Sequence, residues 1–159
     1  MPKTPRRHQD DLASLFSLAF SAFNQELHQR LNELGFGDVR PMHSFLFQGL
    51  IPDGATAKTL VDLLGISKQA VSQMLDYLED KGYVVRKPHP SDGRGKLVVL
   101  TERGWGLIKA KEKIVATIEN RWGGIVGPDH LNMMRSDLKQ IIQSVSEGEL
   151  QQKLRPGWI

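Results

Sequence analysis

Residues 56–104 decide the fold, and they read TAKTLVDLLGISKQAVSQMLDYLEDKGYVVRKPHPSDGRGKLVVLTERG. Apolar residues recur at helical spacing in two short segments of the first half, which predicts two helices. These residues are Leu60, Leu63 and Leu64, then Val71, Met74, Leu75 and Leu78. Between the segments, Gly65 can adopt the positive φ that ends a helix, and Ser67 can cap the next helix. Two helices joined by so short a turn must cross steeply, so the pattern predicts a helix-turn-helix.

The second half of the stretch changes from the helical period to β-strand composition. Residues 83–85 and 97–100 are rich in β-branched and apolar side chains, which predicts strands near 83–87 and 96–100. The segment between them contains Asp92-Gly93, a dipeptide that is typical of hairpin turns. A helix-turn-helix that is followed directly by a hairpin is a winged helix, and this wing carries basic residues.

This block resembles the DNA-binding core of the MarR family of bacterial transcription regulators. That family carries Asp-x-Arg in its wing and Leu-Thr-x-x-Gly shortly after it. The present chain matches that spacing with Asp92, Arg94, Leu100, Thr101 and Gly104. Leu-Gly-Ile-Ser-Lys at 64–68 and Leu-Glu-Asp-Lys-Gly-Tyr-Val at 78–84 also resemble the family pattern. Outside residues 56–104 the resemblance rests on the order and length of the helices.

Composition restricts the classes of function open to the chain. It has 159 residues and a net charge of +3, so a nucleic-acid partner must be inferred from where the charges lie. Five Lys or Arg residues and one acidic residue fall between Lys81 and Lys96, which concentrates positive charge in the wing. The chain has no cysteine, and its five histidines lack the spacing of metal ligands. We therefore expect no metal and no cofactor.

The sequence does not predict an enzyme. Gly93-Arg94-Gly95-Lys96 is similar to the end of a phosphate-binding loop, but Pro90 stands at the position of its first glycine. Leu97 replaces the Ser or Thr that would bind magnesium after the lysine. No nucleophile and base stand out elsewhere, so we expect no catalytic residue.

A long amphipathic helix is predicted ahead of the winged helix, from about Asp10 to Leu34. Its apolar stripe is longer than a winged helix alone could cover, so it packs either within one subunit or against a second one. The basic residues at 3–7 before an apolar run superficially resemble a secretory signal. However, Asp10 and Asp11 directly precede that run, which is also too short to span a bilayer. We expect a cytoplasmic protein without a membrane segment.

Further helices are predicted on both sides of the wing. One runs roughly over 41–50, and a second extends from a cap at Thr101 to about Trp122, where Gly123-Gly124 and Gly127 are expected to break it. A last helix begins at Pro128. The predicted fold is mainly α with a small β-wing: a winged helix-turn-helix plus N- and C-terminal dimerisation helices. The expected regions are a helical dimerisation region at 10–35 and 102–147, a winged helix-turn-helix DNA-binding domain at 38–101 and a tail at 148–159. The resemblance implies a homodimer.

The second helix of the helix-turn-helix is predicted to contact DNA through the side opposite its apolar stripe. That side carries Lys68, Gln69, Ser72, Gln73 and Asp76. Gln can bond both edge groups of adenine, Lys can reach guanine or phosphate, and Ser can reach base or backbone. The alternative is a merely solvated helix face. Family members often carry Arg at the positions of Gln73 and Tyr77, so we expect readout here to lean toward A·T steps.

The resemblance also assigns DNA contacts to the wing. It implies that Arg94 enters the minor groove and that Asp92 orients it, and a narrow minor groove does attract a planar cation. The other predicted contacts in the wing are Arg86, Lys87, His89 and Lys96. The alternative is a hairpin whose charges only keep it soluble. The expected partner is double-stranded DNA with a pseudo-palindromic operator.

Many family members bind small aromatic ligands where the N- and C-terminal dimerisation helices, the helical arms, join the winged helix. The corresponding effector candidates are Phe16, His43, Phe47 and Trp105. A plain core or junction position would explain each of them as well. The resemblance implies that the function is that of a ligand-responsive repressor. The alternative is a winged helix that binds protein instead of DNA, for which an apolar recognition face would be expected.

Overall fold

The computed structural model describes residues 11–146, which form six helices and a three-stranded sheet. The elements are α1 (Leu12–Glu33), α2 (Pro41–Leu50), β1 (Ala55–Thr56), α3 (Ala57–Leu64), α4 (Lys68–Asp80), β2 (Val84–Pro88), β3 (Lys96–Leu100), α5 (Glu102–Val126) and α6 (Pro128–Ser146). This confirms the predicted mainly α fold with a β-wing. The basic segment at 1–9 and the tail at 148–159 lie outside the described residues. Within 11–146, every helix lacks the combination of length and hydropathy that a membrane span requires.

Capping residues begin and end the helices of the helix-turn-helix as predicted. The hydroxyl of Thr56 accepts the N–H of Thr59 at 3.1 Å at the start of α3, and Ser67 accepts the N–H of Ala70 at 3.1 Å at the start of α4. Gly65 ends α3 in the left-handed region, with a φ of 64°. These bonds satisfy N–H groups that are otherwise free in the first helical turn, so they fix the residues at which α3 and α4 begin.

The sheet contains one strand more than the predicted hairpin. β2 and β3 are antiparallel, with Val84 opposite Leu100, and β1 pairs with the other edge of β3, where Ala55 lies opposite Val98. β1 has only two residues, which are too few to show a strand period in the sequence. This short pairing ties the start of α3 to the wing.

The core of the winged helix lies where α2, α3 and α4 pack on the sheet. Its most deeply buried side chains include Leu46, Phe47, Leu50, Leu60, Val71, Leu75, Leu78, Tyr83 and Val98. Three of these side chains belong to one side of α4, so the opposite side of that helix must face solvent.

α5 continues past the point where the sequence predicts a break. Gly123 and Gly124 lie inside the helix, and Gly127 with a φ of 93° ends it. A glycine inside a helix costs roughly 0.5–1 kcal/mol relative to alanine, so the predicted break at Gly123-Gly124 is wrong because tertiary packing outweighs that cost. Gly123 is buried against α6, where an added Cβ would lie 3.7 Å from Cδ2 of Leu131.

The long helices leave several large apolar side chains exposed. The second half of α1 packs on α5, where the rings of Phe23 and Trp122 meet edge-on with centroids 5.7 Å apart. The first half of α1 and the outer side of α6 are exposed instead. The exposed apolar side chains include Leu12, Leu15, Phe16, Leu18, Met133, Met134, Ile141 and Ile142. One copy of the chain therefore leaves the apolar side chains of the first half of α1 and of the outer side of α6 uncovered.

Candidate nucleic-acid interface

α4 presents the predicted polar side chains to solvent. Its apolar stripe is at most 1% exposed at Val71, Leu75 and Leu78. The four side chains predicted to contact DNA are all exposed: Lys68, Gln69, Ser72 and Gln73. Residues three and four apart share one side of a helix, so these groups form a continuous row of donors and acceptors. Such a row can bond base edges in a major groove.

Arg86 joins β2 to α4 instead of extending into solvent. Its Nη2 donates to Oδ1 of Asp76 at 2.6 Å, and its Nη1 pairs with Oε2 of Glu79. Its main-chain N–H also donates to Oε1 of Glu79, at 3.1 Å. Burial acts to lower the pKa of Arg86, but the hydrogen bonds to Asp76 and Glu79 outweigh it and raise that pKa above its usual value. The structure thus favours a positioning role for Arg86 over the phosphate contact that the sequence suggested.

The wing tip is a loop between Pro88 and Lys96 that Asp92 shapes. The Oδ1 of Asp92 accepts the N–H of Arg94 at 3.0 Å, and its carbonyl accepts the N–H of Gly95 at 3.1 Å. Gly93 does not adopt a positive φ, so the two-residue turn that Asp-Gly usually predicts does not form here. Asp92 therefore fixes the main chain of Arg94. Within residues 11–146 the Arg94 guanidinium has neither an ion pair nor a hydrogen bond.

Lys87 and Lys96 lie on opposite faces of the wing. The cross-strand partner of Lys87 is Leu97, and adjacent residues of a strand point to opposite faces, so Lys96 points away from Lys87. Both lysines are exposed. Together with Arg94 they place three exposed cations around one carboxylate, Asp92, which gives the tip the positive charge that a phosphate backbone attracts.

A hydrogen-bonded cluster around Asp38 positions α4 and the wing. The hydroxyl of Tyr77 donates to the main-chain oxygen of Asp38 at 2.7 Å, and the hydroxyl of Tyr83 donates to its Oδ1 at 2.5 Å. Arg103 in the first turn of α5 approaches Oδ2 of Asp38 at 3.5 Å. Tyr77 thus anchors α4 at a position where family members often carry Arg, so its role here is to hold the helix.

Two of the four effector candidates, His43 and Phe47, lie one turn apart in the buried side of α2. Phe47 is 1% exposed and meets Tyr83 edge-on, with ring centroids 5.8 Å apart. The ring of His43 lies 5.1 Å from that of Tyr77, and its Nδ1 accepts the N–H of Arg40 at 3.1 Å. Burial, followed by the charge of Arg40, lowers the pKa of His43, which favours the neutral ring. Both side chains have structural roles.

The other two effector candidates lie apart from that pair. Phe16 is in the exposed half of α1 and Trp105 is near the start of α5, and they are 48% and 36% exposed. In the described part of the chain, neither makes a ring contact with His43 or Phe47. Two open grooves, of about 460 and 520 Å³, lie along α1 and between α5 and α6, and none of the four candidates lines them. Neither of these two grooves therefore offers a common site for the four candidates.

Several positioning residues were missed by the sequence-based reasoning. Asp38 lies in the connection between α1 and α2, and Arg103 occupies one of the variable positions of Leu-Thr-x-x-Gly. No spacing in the sequence marks either one as a partner of Tyr83. His89, predicted to meet phosphate, shapes the wing loop, because its Nδ1 accepts the N–H of Ser91 at 3.2 Å.

Sequence comparisons identify proteins to which this chain is similar. The sequence model of the MarR family matches residues 49–95, from the end of α2 to the wing tip. An uncharacterized HTH-type transcriptional regulator of Mycobacterium bovis is 29% identical over 104 residues, which cover 64% of this chain and 70% of that protein. An HTH-type transcriptional regulator of Mycobacterium tuberculosis matches with the same identity and coverage.

Structural comparisons extend the likeness to the helical arms. Wild-type MarR from E. coli in its apo form is similar with a TM-score of 0.61 and 25% identity, over 82% of this chain and 96% of that chain. The transcriptional repressor CouR, bound to a 23-mer DNA duplex, has a TM-score of 0.65 and 25% identity, over 84% of this chain and 94% of that chain. The fold that this chain shares with these two proteins therefore extends beyond the winged helix.

Proposed function

We propose that this chain, which belongs to the MarR family of DNA-binding transcription regulators, is a homodimeric repressor of a pseudo-palindromic operator. The observation that carries the proposal is the exposed polar side of α4 beside a wing tip whose Arg94 is unpaired within residues 11–146. A helix and a cationic hairpin placed together suit the major groove and the adjacent minor groove of one duplex. The proposed site of action is the bacterial cytoplasm, where the DNA is.

α4 supplies the base contacts in this proposal. Gln69 and Gln73 can each donate to and accept from the major-groove edge of adenine, and Ser72 lies between them. Lys68 in the first turn can reach guanine or a phosphate. Because three of these four groups are uncharged, the helix adds little non-specific attraction and depends on matching the bases.

The wing supplies most of the electrostatic attraction. Arg94 enters the minor groove, where the negative potential is strongest over narrow A·T segments. Lys87 and Lys96, on opposite faces of the hairpin, contact the phosphates on the two sides of that groove. Asp92 holds the main chain of Arg94 in place and so directs the guanidinium without pairing with it.

The exposed apolar side chains of α1 and α6 support a homodimer. Leu12, Leu18 and Met133 are each at least 60% exposed, whereas monomeric proteins rarely expose large contiguous apolar patches. Burying one such side chain is worth about 1.5–3 kcal/mol. A two-fold pair of subunits joined through these arms would set the two α4 helices about one DNA turn apart, roughly 34 Å, on related half-sites.

We also propose that a small aromatic ligand regulates the repressor. Phe16 lies on the arm that a second subunit would cover, and Trp105 lies beside the winged helix, so a ligand pocket containing both needs the dimer. His43 and Phe47 would form its inner wall on α2. A ligand acts by favouring the dimer form whose α4 helices no longer match the spacing of the grooves.

Selection of bound DNA from a random pool with the purified protein tests the proposal. We expect one enriched pseudo-palindrome, a dimer by light scattering, and binding that weakens steeply with salt. Lys87→Ala and Lys96→Ala should each lower the salt slope by about one, whereas Lys139→Ala on α6 should leave it unchanged. If no sequence is enriched even in dilute buffer, the protein-binding alternative replaces the proposal.

A further inference from the structure

Asp76 places a carboxylate within the side of α4 that carries the proposed base contacts. It follows Ser72 by four residues and Gln73 by three, so the three side chains share one side of the helix. The side chain of Asp76 is 65% exposed. Phosphates repel a carboxylate, so an acidic group in this position opposes DNA binding unless it makes a favourable contact of its own.

Arg86 holds that carboxylate from the side of the wing. Its Nη2 lies 2.6 Å from Oδ1 of Asp76, and the Arg86 side chain is only 22% exposed because it is also bound to Glu79. The Arg86 side chain is therefore the more covered of the two, and the Asp76 side chain is the more exposed. Within residues 11–146 the Oδ2 of Asp76 accepts no hydrogen bond, so it is available as an acceptor.

The charges of this cluster do not cancel. Asp76 and Glu79 contribute two carboxylates against the single guanidinium of Arg86, so the cluster keeps one negative charge beside the proposed path of the DNA. A contact with phosphate would be unfavourable for such a group, whereas a contact with a hydrogen-bond donor on a base edge would be favourable. The same charge penalises a half-site that offers no donor at that position, which is how a repulsive element adds specificity.

We infer that Asp76 is a specificity-determining residue that accepts a hydrogen bond from the N4 amino group of one cytosine in each half-site, with Arg86 as its positioning residue. This inference rests on the proposed function, because it requires α4 to lie in the major groove. Cytosine presents an amino donor there, and carboxylates are the side chains that accept from it. Adenine also presents an amino donor, but its acceptor N7 lies next to that donor and repels a carboxylate.

Asp76→Asn tests the inference, because it keeps the shape of the side chain and exchanges one acceptor oxygen for an amide donor. In selection from the same random pool, wild type should enrich cytosine at one position of each half-site. Asp76→Asn should shift that position toward adenine, since an amide can bond both N6 and N7. Its affinity for the wild-type operator should fall roughly fivefold or more.

Asp80→Asn is the matched control. It makes the same charge change on the same helix, at a side chain that is 78% exposed and pairs with Lys81 rather than with Arg86. We expect it to leave every base preference unchanged. If Asp76→Asn keeps all wild-type preferences, or raises affinity for all sequences as much as Asp80→Asn does, the inference is wrong while DNA binding itself stands.

A wild-type protein that enriches no sequence would instead overturn the proposed function, so the two failures are distinguishable. Arg86→Lys separates the two roles within the cluster. It keeps one positive charge but loses the fork that spans both carboxylates, so the cytosine preference should weaken without moving to adenine. An unchanged preference in Arg86→Lys would show that Arg86 does not position Asp76.

Discussion

The hydroxyl of Tyr83 donates a 2.5 Å hydrogen bond to Oδ1 of Asp38, across 45 residues of sequence. Tyr83 is buried just before β2, and Asp38 lies in the connection between α1 and α2. Arg103 of α5 lies over the same ring, with its guanidinium carbon 4.6 Å from the centroid. Because Tyr77 of α4 also donates to Asp38, this one aspartate links both helical arms to the helix and the wing.

Tyr83→Phe should destabilise the fold through the loss of this bond and of the bond that the hydroxyl accepts from Nη2 of Arg103 at 3.0 Å. The change removes the hydroxyl and keeps the ring in the core, and a hydrogen bond to a charged group contributes about 1.5–3 kcal/mol. We expect the free energy of unfolding in urea to fall by about that amount. The control is Tyr77→Phe, which removes a bond to a neutral carbonyl and should cost about 0.5–1.5 kcal/mol. If both variants lost the same free energy of unfolding, the bond of Tyr83 to the charged Asp38 carboxylate would not be the stronger of the two.

The same tyrosine should make stability depend on pH in the alkaline range. Burial, together with the hydrogen bond to Asp38, raises the pKa of Tyr83 from 10.0 to about 12. Between these values the unfolded chain loses the phenol proton before the folded chain does. The stability that Tyr83 contributes is therefore complete below pH 10.0 and is lost as pH rises toward about 12. In urea titrations over this range, Tyr83→Phe should lose less stability than wild type; matching curves would refute this.

Gly104, the last residue of the Leu-Thr-x-x-Gly motif, should tolerate no side chain. A Cβ there would lie 2.4 Å from the main-chain oxygen of Tyr83, which neither α5 nor β2 can easily move. We expect Gly104→Ala to cost on the order of 3 kcal/mol or more in thermal or urea unfolding. Gly106→Ala, two residues further along α5, is the control.

The control should behave in the opposite way. The nearest atom to an added Cβ at Gly106 is Cζ of Phe36 at 3.8 Å, an ordinary contact. Gly106→Ala should therefore be neutral or should stabilise the helix by roughly 0.5–1 kcal/mol. Similar losses in both variants would mean that the close approach to the main-chain oxygen of Tyr83 does not set Gly104 apart.

The wing makes a separate prediction about how Asp92 directs Arg94. If Asp92 acts through its bond to the main-chain N–H of Arg94, then Asp92→Asn, which keeps an acceptor oxygen, should bind DNA about as well as wild type. Asp92→Ala loses the acceptor and should approach the loss caused by Arg94→Ala, on the order of tenfold in affinity. Gel shifts on the selected operator measure all three variants. Equal losses in the Asn and Ala variants of Asp92 would show that its charge, and not its acceptor, is what matters.

Signals between neighbours in the sequence predicted much of the fold and of the candidate interface. Thr56 and Ser67 cap their helices as expected because each capping bond joins residues only three positions apart. Gly65 takes the left-handed conformation for an equally local reason. The exposed side of α4 follows from its apolar stripe, because fixing the buried side of a helix also fixes the other side.

Contacts between distant parts of the chain account for what the sequence did not predict. Arg86 and Arg94 are alike as basic residues of the wing, and only the position of α4 beside β2 shows that Arg86 is paired with two carboxylates. Gly123 is a helix breaker by propensity, but its contact with α6 keeps α5 continuous. The bond from Tyr83 to Asp38 joins residues 45 positions apart, and no periodic pattern in the sequence marks the two as partners.

Leu15 offers a test of the dimer that leaves the winged helix intact. It lies in the exposed first half of α1 and is 44% exposed, so Leu15→Arg should not disturb the core of the subunit. If α1 packs against a second subunit, the buried charge should weaken the dimer by on the order of 100-fold, seen by light scattering over a range of concentrations. Ser17→Arg adds the same charge on the other side of α1 and should leave the dimer unchanged. Operator affinity should fall with the dimer in Leu15→Arg, because one subunit can contact only one half-site. A Leu15→Arg protein that remains a dimer of wild-type strength would remove α1 from the proposed interface.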